Sequence, residues 1–140
     1  MIGDCPVTGL ASRAGEVWGV EMVPEAIADA EENARLNGIE NAQFRAGDAR
    51  KEIRPLLEEA GKPDVVVVDP PRAGLSRKVV RRVIECDAPR IVYVSCNPTT
   101  LAPNAAQLAE AGYRVRRVRP VDMFPQTPHI ECVALLEKVS

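Results

Sequence analysis

The residues best placed to do chemistry fall in three clusters. Ser95-Cys96-Asn97-Pro98 sets a thiol just past an apolar run and just before a helix start, where the dipoles of N-terminal peptides favour a thiolate. A buried structural cysteine is the competing reading for Cys96, and placement at a reactive edge weighs against it. Asp69-Pro70-Pro71-Arg72-Ala73-Gly74 is a strand end that cannot extend its ladder, because neither proline has an N–H. The loop is stiffened, and Asp69 is held at its start; a rigid turn with Arg72 on the surface is the plainer alternative. The third cluster, Asp122-Met-Phe-Pro-Gln-Thr-Pro-His129-Ile-Glu131, is a proline-shaped loop. If it folds back, Glu131 faces the same crevice, and modest desolvation suits a carboxylate to act as a base near neutral pH.

These clusters need elements to bring them together, and the chain alternates strand and helix signals throughout. Val17 to Glu21 reads as a strand, followed by a helix from Pro24 that stops at Asn37-Gly38. Ala42 to Ala46 is the next strand, and a helix runs from there through Leu57 to a stop near Gly61. The β-branched run from Asp64 to Asp69 suits a strand buried on both faces. Ser76 caps a helix through Ile84, Arg90 to Ser95 is another apolar strand, and Thr99 or Thr100 opens a helix ending at Gly112. Tyr113 to Val121 and Ile130 to Val139 close the chain as two strands with no helix between them, so antiparallel pairing is expected.

That order predicts an α/β sheet with helices on both faces. Sites in such sheets lie beyond the carboxyl ends of the strands. Glu21, Asp48, Asp69 and Cys96 all fall at or just past predicted strand ends. Acidic residues there suit a nucleoside cofactor: Glu21 for the ribose hydroxyls, Asp48 for an adenine amino group. A turn or helix-capping carboxylate is the bland reading of each.

Composition bounds the partners. The chain has 140 residues, read as one domain over 1–140, with a formal net charge of -2 that gives no global footprint for nucleic acid. A local basic patch would be required, and arginines do cluster at Arg72 to Arg82 and Arg114 to Arg119, although such runs are more often solvated faces. No apolar run is long enough for a membrane span. The four cysteines have neither metal-ligand spacing nor a disulfide framework, so no metal is expected, and reduced thiols in the cytoplasm are the expected state.

Asp69-Pro-Pro-Arg-Ala-Gly74, Tyr93-Val-Ser-Cys-Asn-Pro98 and Asp122-Met-Phe-Pro-Gln-Thr-Pro-His-Ile-Glu131 together resemble the RNA uracil-5-methyltransferase family, which modifies ribosomal and transfer RNA. Val17-Trp-Gly-Val-Glu21 and Asn33-Ala-Arg-Leu-Asn-Gly38 resemble that family's cofactor half. The resemblance covers Glu16 to Lys138. It implies a Rossmann-like class I methyltransferase sheet, mostly parallel with an antiparallel C-terminal strand. It also implies S-adenosyl-L-methionine as cofactor, with Glu21, Asp48 and Asp69 contacting it. By the same resemblance Cys96 is the nucleophile and Glu131 the general base, and the substrate is ribosomal or transfer RNA. Asp69, Arg72 and His129 are the candidate substrate contacts, with a satisfied loop histidine the plainer reading of His129. Two other chemistries are disfavoured by Arg72. Amino-methylating enzymes carry an aromatic residue after Asp/Asn-Pro-Pro, and cytosine-5 RNA enzymes carry a cysteine in the Asp-Pro loop. The chain departs from the family at its front. Met1-Ile-Gly-Asp-Cys-Pro-Val-Thr-Gly-Leu10 has no preceding strand and no intact Gly-x-Gly, so the first strand and part of the cofactor loop are expected to be missing. A sheet lacking that strand would expose its centre, where a homodimer could form. The alternative function is a catalytically incompetent remnant of the fold that acts at most as a binding module.

Overall fold

The computed structural model describes residues 15–121 and 131–139. The chain runs β1 (Val17–Glu21), α1 (Pro24–Leu36), β2 (Ala42–Ala46), α2 (Ala49–Ala60), β3 (Val65–Val68), α3 (Arg77–Glu85), β4 (Arg90–Ser95), α4 (Pro98–Glu110), β5 (Tyr113–Val121) and β6 (Glu131–Lys138). The expected alternation is therefore observed, with most boundaries within a residue or two. One start differs. Asn97, not a threonine, caps α4, accepting the Thr99 amide at 3.1 Å, because Pro98 takes the first helical position where a missing N–H costs nothing.

Two strand assemblies form among the described residues: the parallel pair β1–β2 and a four-stranded sheet in the order β3–β4–β6–β5. β3 and β4 are parallel, while β6 runs antiparallel to both β4 and β5. The fold class is thus the expected one, a mostly parallel Rossmann-like sheet closed by an antiparallel strand. No described strand pairs with both β1 and β3. Between them lies a groove of about 500 Å³, lined by Val17, Trp18 and Val20 on one side and Val65, Val66 and Val67 on the other, and floored by Ile53 and Leu57 of α2. Val65 is correspondingly 44% exposed.

The core lies between the four-stranded sheet and its helices. Val68, Ile91, Tyr93 and Leu136 on the strands are fully buried, as are Val83 of α3 and Leu108 of α4. Burial of each aliphatic side chain is worth about 1.5–3 kcal/mol. Polar atoms inside are all partnered among the described residues. The Tyr113 hydroxyl, for example, donates to the Ala88 carbonyl at 2.6 Å, tying the start of β5 to the turn before β4.

Candidate active site

The predicted residues stand at or just past the carboxyl ends of the strands in the two parallel pairs, β1–β2 and β3–β4. Glu21 is the last residue of β1, and Asp48 lies two residues past β2. Asp69 and Cys96 directly follow β3 and β4, and Glu131 begins β6. The final β4–β6 pair is Ser95–Cys132. Cys96 and Glu131 are each one residue beyond that pair, at the same end of the antiparallel ladder.

Cys96 is a half-buried free thiol in a turn locked on both sides. The Asn97 amide donates to Ser95 Oγ at 3.1 Å, and Ser95 Oγ donates to the Asn97 carbonyl at 2.9 Å. Cys96 immediately precedes the Asn97 cap, so it sits at the positive end of α4. Cys86 differs in every respect. It is 5% exposed, and burial pushes its thiol up to about 11, which leaves it protonated and unreactive at neutral pH.

The loop after β3 is fastened to the same turn. Asn97 Nδ2 and Thr100 Oγ1 both donate to the Arg72 carbonyl, at 3.1 and 3.0 Å. The Gly74 amide closes a tight turn onto the Pro71 carbonyl at 2.8 Å, with Gly74 at φ +78°. A side chain there would meet Asn104 Oδ1 at 2.9 Å and Thr100 Cβ at 3.0 Å, so both conformation and space require glycine.

Asn104 is the residue that sequence reasoning missed. It is 6% exposed inside α4. Its Oδ1 accepts the Leu75 amide at 2.9 Å and the Tyr93 hydroxyl at 2.7 Å, and its Nδ2 donates to the Leu75 carbonyl at 3.1 Å. One side chain thus joins α4, β4 and the Asp69 loop. Burial pushes the Tyr93 phenol up to about 12, so it remains a donor at any ordinary pH. The only sequence signal was a polar residue at the i+3 position from Leu101 on an otherwise apolar helix face.

The acidic residues behave differently from one another. Glu21 accepts the Val23 amide at 3.2 Å, and its strand is joined to the β2 turn by the Gly47 amide donating to the Glu21 carbonyl at 2.8 Å. Asp48 is the N-cap of α2. Its carboxylate accepts from the Arg50 amide and Nε at 2.9 and 3.1 Å through Oδ1, and from Nε and Nη2 at 2.9 and 2.5 Å through Oδ2. Those hydrogen bonds hold its carboxyl down at about 2. Both oxygens are thus already engaged, so any contact from Asp48 to a cofactor requires Arg50 to give way; Arg50 is 47% exposed and able to move. Asp69 is half-buried and Arg72 exposed. His129 lies outside the described residues. Among the described residues no cluster of His, Cys, Asp or Glu could hold a metal ion, and no helix is long and apolar enough to cross a membrane.

Residues 7–139 match the family described as tRNA (Uracil-5-)-methyltransferase. An uncharacterized RNA methyltransferase of Enterococcus faecalis is 55% identical over 129 residues, covering 92% of this chain and 28% of that protein. One from Geobacter sulfurreducens is 54% identical over 129 residues, covering 92% of this chain and 26% of its own length. The chain therefore spans a little over a quarter of these curated relatives. The crystal structure of the Pyrococcus abyssi tRNA (uracil-54, C5)-methyltransferase in complex with S-adenosyl-L-homocysteine superposes with a TM-score of 0.74 at 38% identity, covering 91% of this chain and 30% of that one. An rRNA methylase from Streptococcus thermophilus shares the fold alone, with a TM-score of 0.72 at 13% identity, over 99% of this chain and 82% of that one. The chain belongs to the tRNA (uracil-5-)-methyltransferase family.

Proposed function

We propose that this chain is the catalytic domain, over residues 1–140, of an enzyme that methylates carbon 5 of a uridine in transfer or ribosomal RNA. The observation that carries the reading is the juxtaposition of Cys96 and Glu131 one residue beyond the Ser95–Cys132 pair, with the Asp69 loop bonded to the same turn.

The donor set suits S-adenosyl-L-methionine: carboxylates at the ends of β1, β2 and β3 match ribose hydroxyls, an adenine amino group and a cationic sulfonium. Glu21 takes the ribose, Asp48 the adenine once Arg50 swings out, and Asp69 the edge nearest the target base. The cofactor supplies the methyl group. The protein's own task is to make carbon 5 of uracil nucleophilic. The Cys96 thiolate adds to carbon 6, the carbon 5–carbon 6 π pair moves onto the O4 carbonyl, and an enolate results. Carbon 5 then takes the methyl. Glu131 removes the carbon 5 proton, the double bond reforms, and the Cys96 thiolate leaves. Arg72 and His129 serve as contacts to the RNA, whose target base must be unstacked to reach the edge. Free thiols at Cys86, Cys96 and Cys132 fit a reducing cytoplasm.

RNA carrying 5-fluorouridine tests the mechanism. With cofactor it should trap a covalent adduct on Cys96, because fluorine cannot leave as a proton. An adduct of equal yield in Cys96→Ala would refute the assignment. Titration with S-adenosylhomocysteine tests the cofactor site separately; binding should weaken in Glu21→Ala. Failure of a folded sample to bind at all would favour the second reading, a remnant fold without activity.

The groove between β1 and β3 presents edges of these strands that no other described strand pairs, and such edges are templates for pairing with another chain. A second copy of this chain is the partner proposed there. Light scattering showing a monomer at high concentration would overturn that.

A further inference from the structure

β5 carries a second feature of the catalytic edge. Every residue from Arg114 to Pro120 is exposed. The strand's register against β6 shifts between Val115 and Arg117, leaving Arg116 as the extra residue of a bulge. The bulge has a consequence for which way each side chain points. Directly paired residues share a sheet face. Val115 and Val118 pair with Leu136 and Ala134, which are buried under the helices. Arg114, Arg117 and Arg119 pair with Glu137, Leu135 and Val133, on the opposite face. Without the extra residue, positions 115 and 118 would face opposite ways and the arginines would be split between the two faces.

The outcome is a file of arginines along one face of the outermost strand. Arg117 and Arg119 are about 7 Å apart, and the whole file spans about 15 Å. Arg116 takes up Glu137 at 3.3 Å, while Arg114, Arg117 and Arg119 make no ion pair with any described residue. Glu131 lies on this same face, two residues along β6 from the partner of Arg119. The file therefore descends from the catalytic edge. On a chain whose net charge is -2, it is a concentrated local positive field.

We infer that Arg114, Arg117 and Arg119 form a track for the phosphate backbone of single-stranded RNA leading to the Cys96–Glu131 edge. The inference rests on the methyltransferase reading and adds the surface that holds the substrate. Arginine forks match phosphate oxygens, and such contacts position a strand without reading its sequence. Charged residues on an edge strand also discourage strand-to-strand aggregation. Replacement by glutamate separates the two roles, since it keeps the edge charged but repels phosphate.

The test is fluorescence anisotropy of a labelled oligouridine against the full chain at several salt concentrations. Arg114→Glu/Arg117→Glu/Arg119→Glu should bind about tenfold or more weakly at low salt. The slope of log affinity against log salt should shrink by about 2, as three lost phosphate contacts require. Arg77→Glu/Arg81→Glu, on exposed positions of α3, should bind as the parent does. Circular dichroism establishes that both variants are folded. An unchanged slope in the β5 variant, an equal loss in the α3 variant, or no binding by the parent chain would overturn the track. S-adenosylhomocysteine affinity should be the same in all three proteins. Intact cofactor binding alongside any of those failures would sink the track while leaving the methyltransferase reading in place.

Discussion

Replacing Asn104 by alanine should do more damage than any surface change in the molecule, and the size of the loss follows from its partners. The substitution removes the acceptor for the Leu75 amide and the Tyr93 hydroxyl and the donor to the Leu75 carbonyl. Tyr93 is fully buried, so water cannot replace the lost acceptor, and an unsatisfied buried hydroxyl costs about 1–3 kcal/mol. Leu75 is only half-buried, and its two backbone groups should recover part of their loss through water, leaving about 0.5–1 kcal/mol each. The sum is about 3 kcal/mol, a large share of the ~5–15 kcal/mol that holds a domain of this kind together. In urea this corresponds to a midpoint lower by about 1.5–2 M. Tyr93→Phe removes only one donor and leaves Asn104 bonded to Leu75, so it should cost about 1 kcal/mol. In the double variant the Tyr93 contribution is already gone, and the two losses should fall short of additivity by about 1 kcal/mol. An Asn104→Ala loss below about 1 kcal/mol, or strict additivity, would refute the reasoning.

Further outcomes follow from the same geometry. Gly74→Ala should cost about 2–3 kcal/mol in urea unfolding, since an alanine at φ +78° is strained and its Cβ meets Asn104 and Thr100; a neutral substitution would contradict the tight turn. Cysteine labelling at neutral pH, read residue by residue by mass spectrometry, should modify Cys96 well before Cys86, which is 5% exposed and has its thiol raised to about 11; labelling of Cys86 first would contradict the core. Stability should fall on the alkaline side. Cys86 and Tyr93 keep their protons to about 11 and about 12 when folded, against ordinary values of 9.0 and 10.0. The folded state therefore binds more protons above about pH 9, and stability declines from there through pH 12; a flat profile between pH 8 and 11 would contradict their burial. At the acid end the sign reverses. Asp48 is held at about 2 by Arg50, against 3.8 unfolded, so its contribution is complete above pH 3.8 and lost as pH falls through 2. Arg50→Ala should bring the Asp48 titration, followed by carboxyl NMR, back up towards its ordinary value.

The elements were legible in the sequence because each is announced by chemistry local to it. Pro24 opens one helix, Ser76 and Asp48 cap others, and the run of valines at 65–68 has no amphipathic alternative. Placement of Glu21, Asp69 and Cys96 at or just past strand ends followed from the strand boundaries read along the chain. What could not be read depends on pairs distant in sequence. Asn104 meets Leu75 across 29 positions, and its place on an apolar helix face does not say which distant partner it will meet. The engagement of Asp48 by Arg50 is local, two residues apart. It escaped because a capping carboxylate and a ligand-binding carboxylate use the same residue type at the same strand end.

That ambiguity has a physical resolution. A carboxylate poised for a cofactor must hold its geometry yet keep an oxygen available, whereas a capping carboxylate gains by using both. Glu21 accepts one backbone amide at 3.2 Å, which fixes its orientation and leaves capacity to spare. Asp48 accepts at both oxygens from one exposed arginine, so its availability is set by how readily that arginine exchanges its bonds for solvent. The two acids at the ends of neighbouring strands are therefore not equivalent. Removing Glu21 should cost cofactor affinity outright. Removing Arg50 should weaken the start of α2 while freeing the Asp48 carboxylate, so that affinity for S-adenosylhomocysteine holds or rises as stability falls. A parallel fall in both would mean that Arg50 itself, through the geometry it imposes on Asp48, is part of the cofactor's seat.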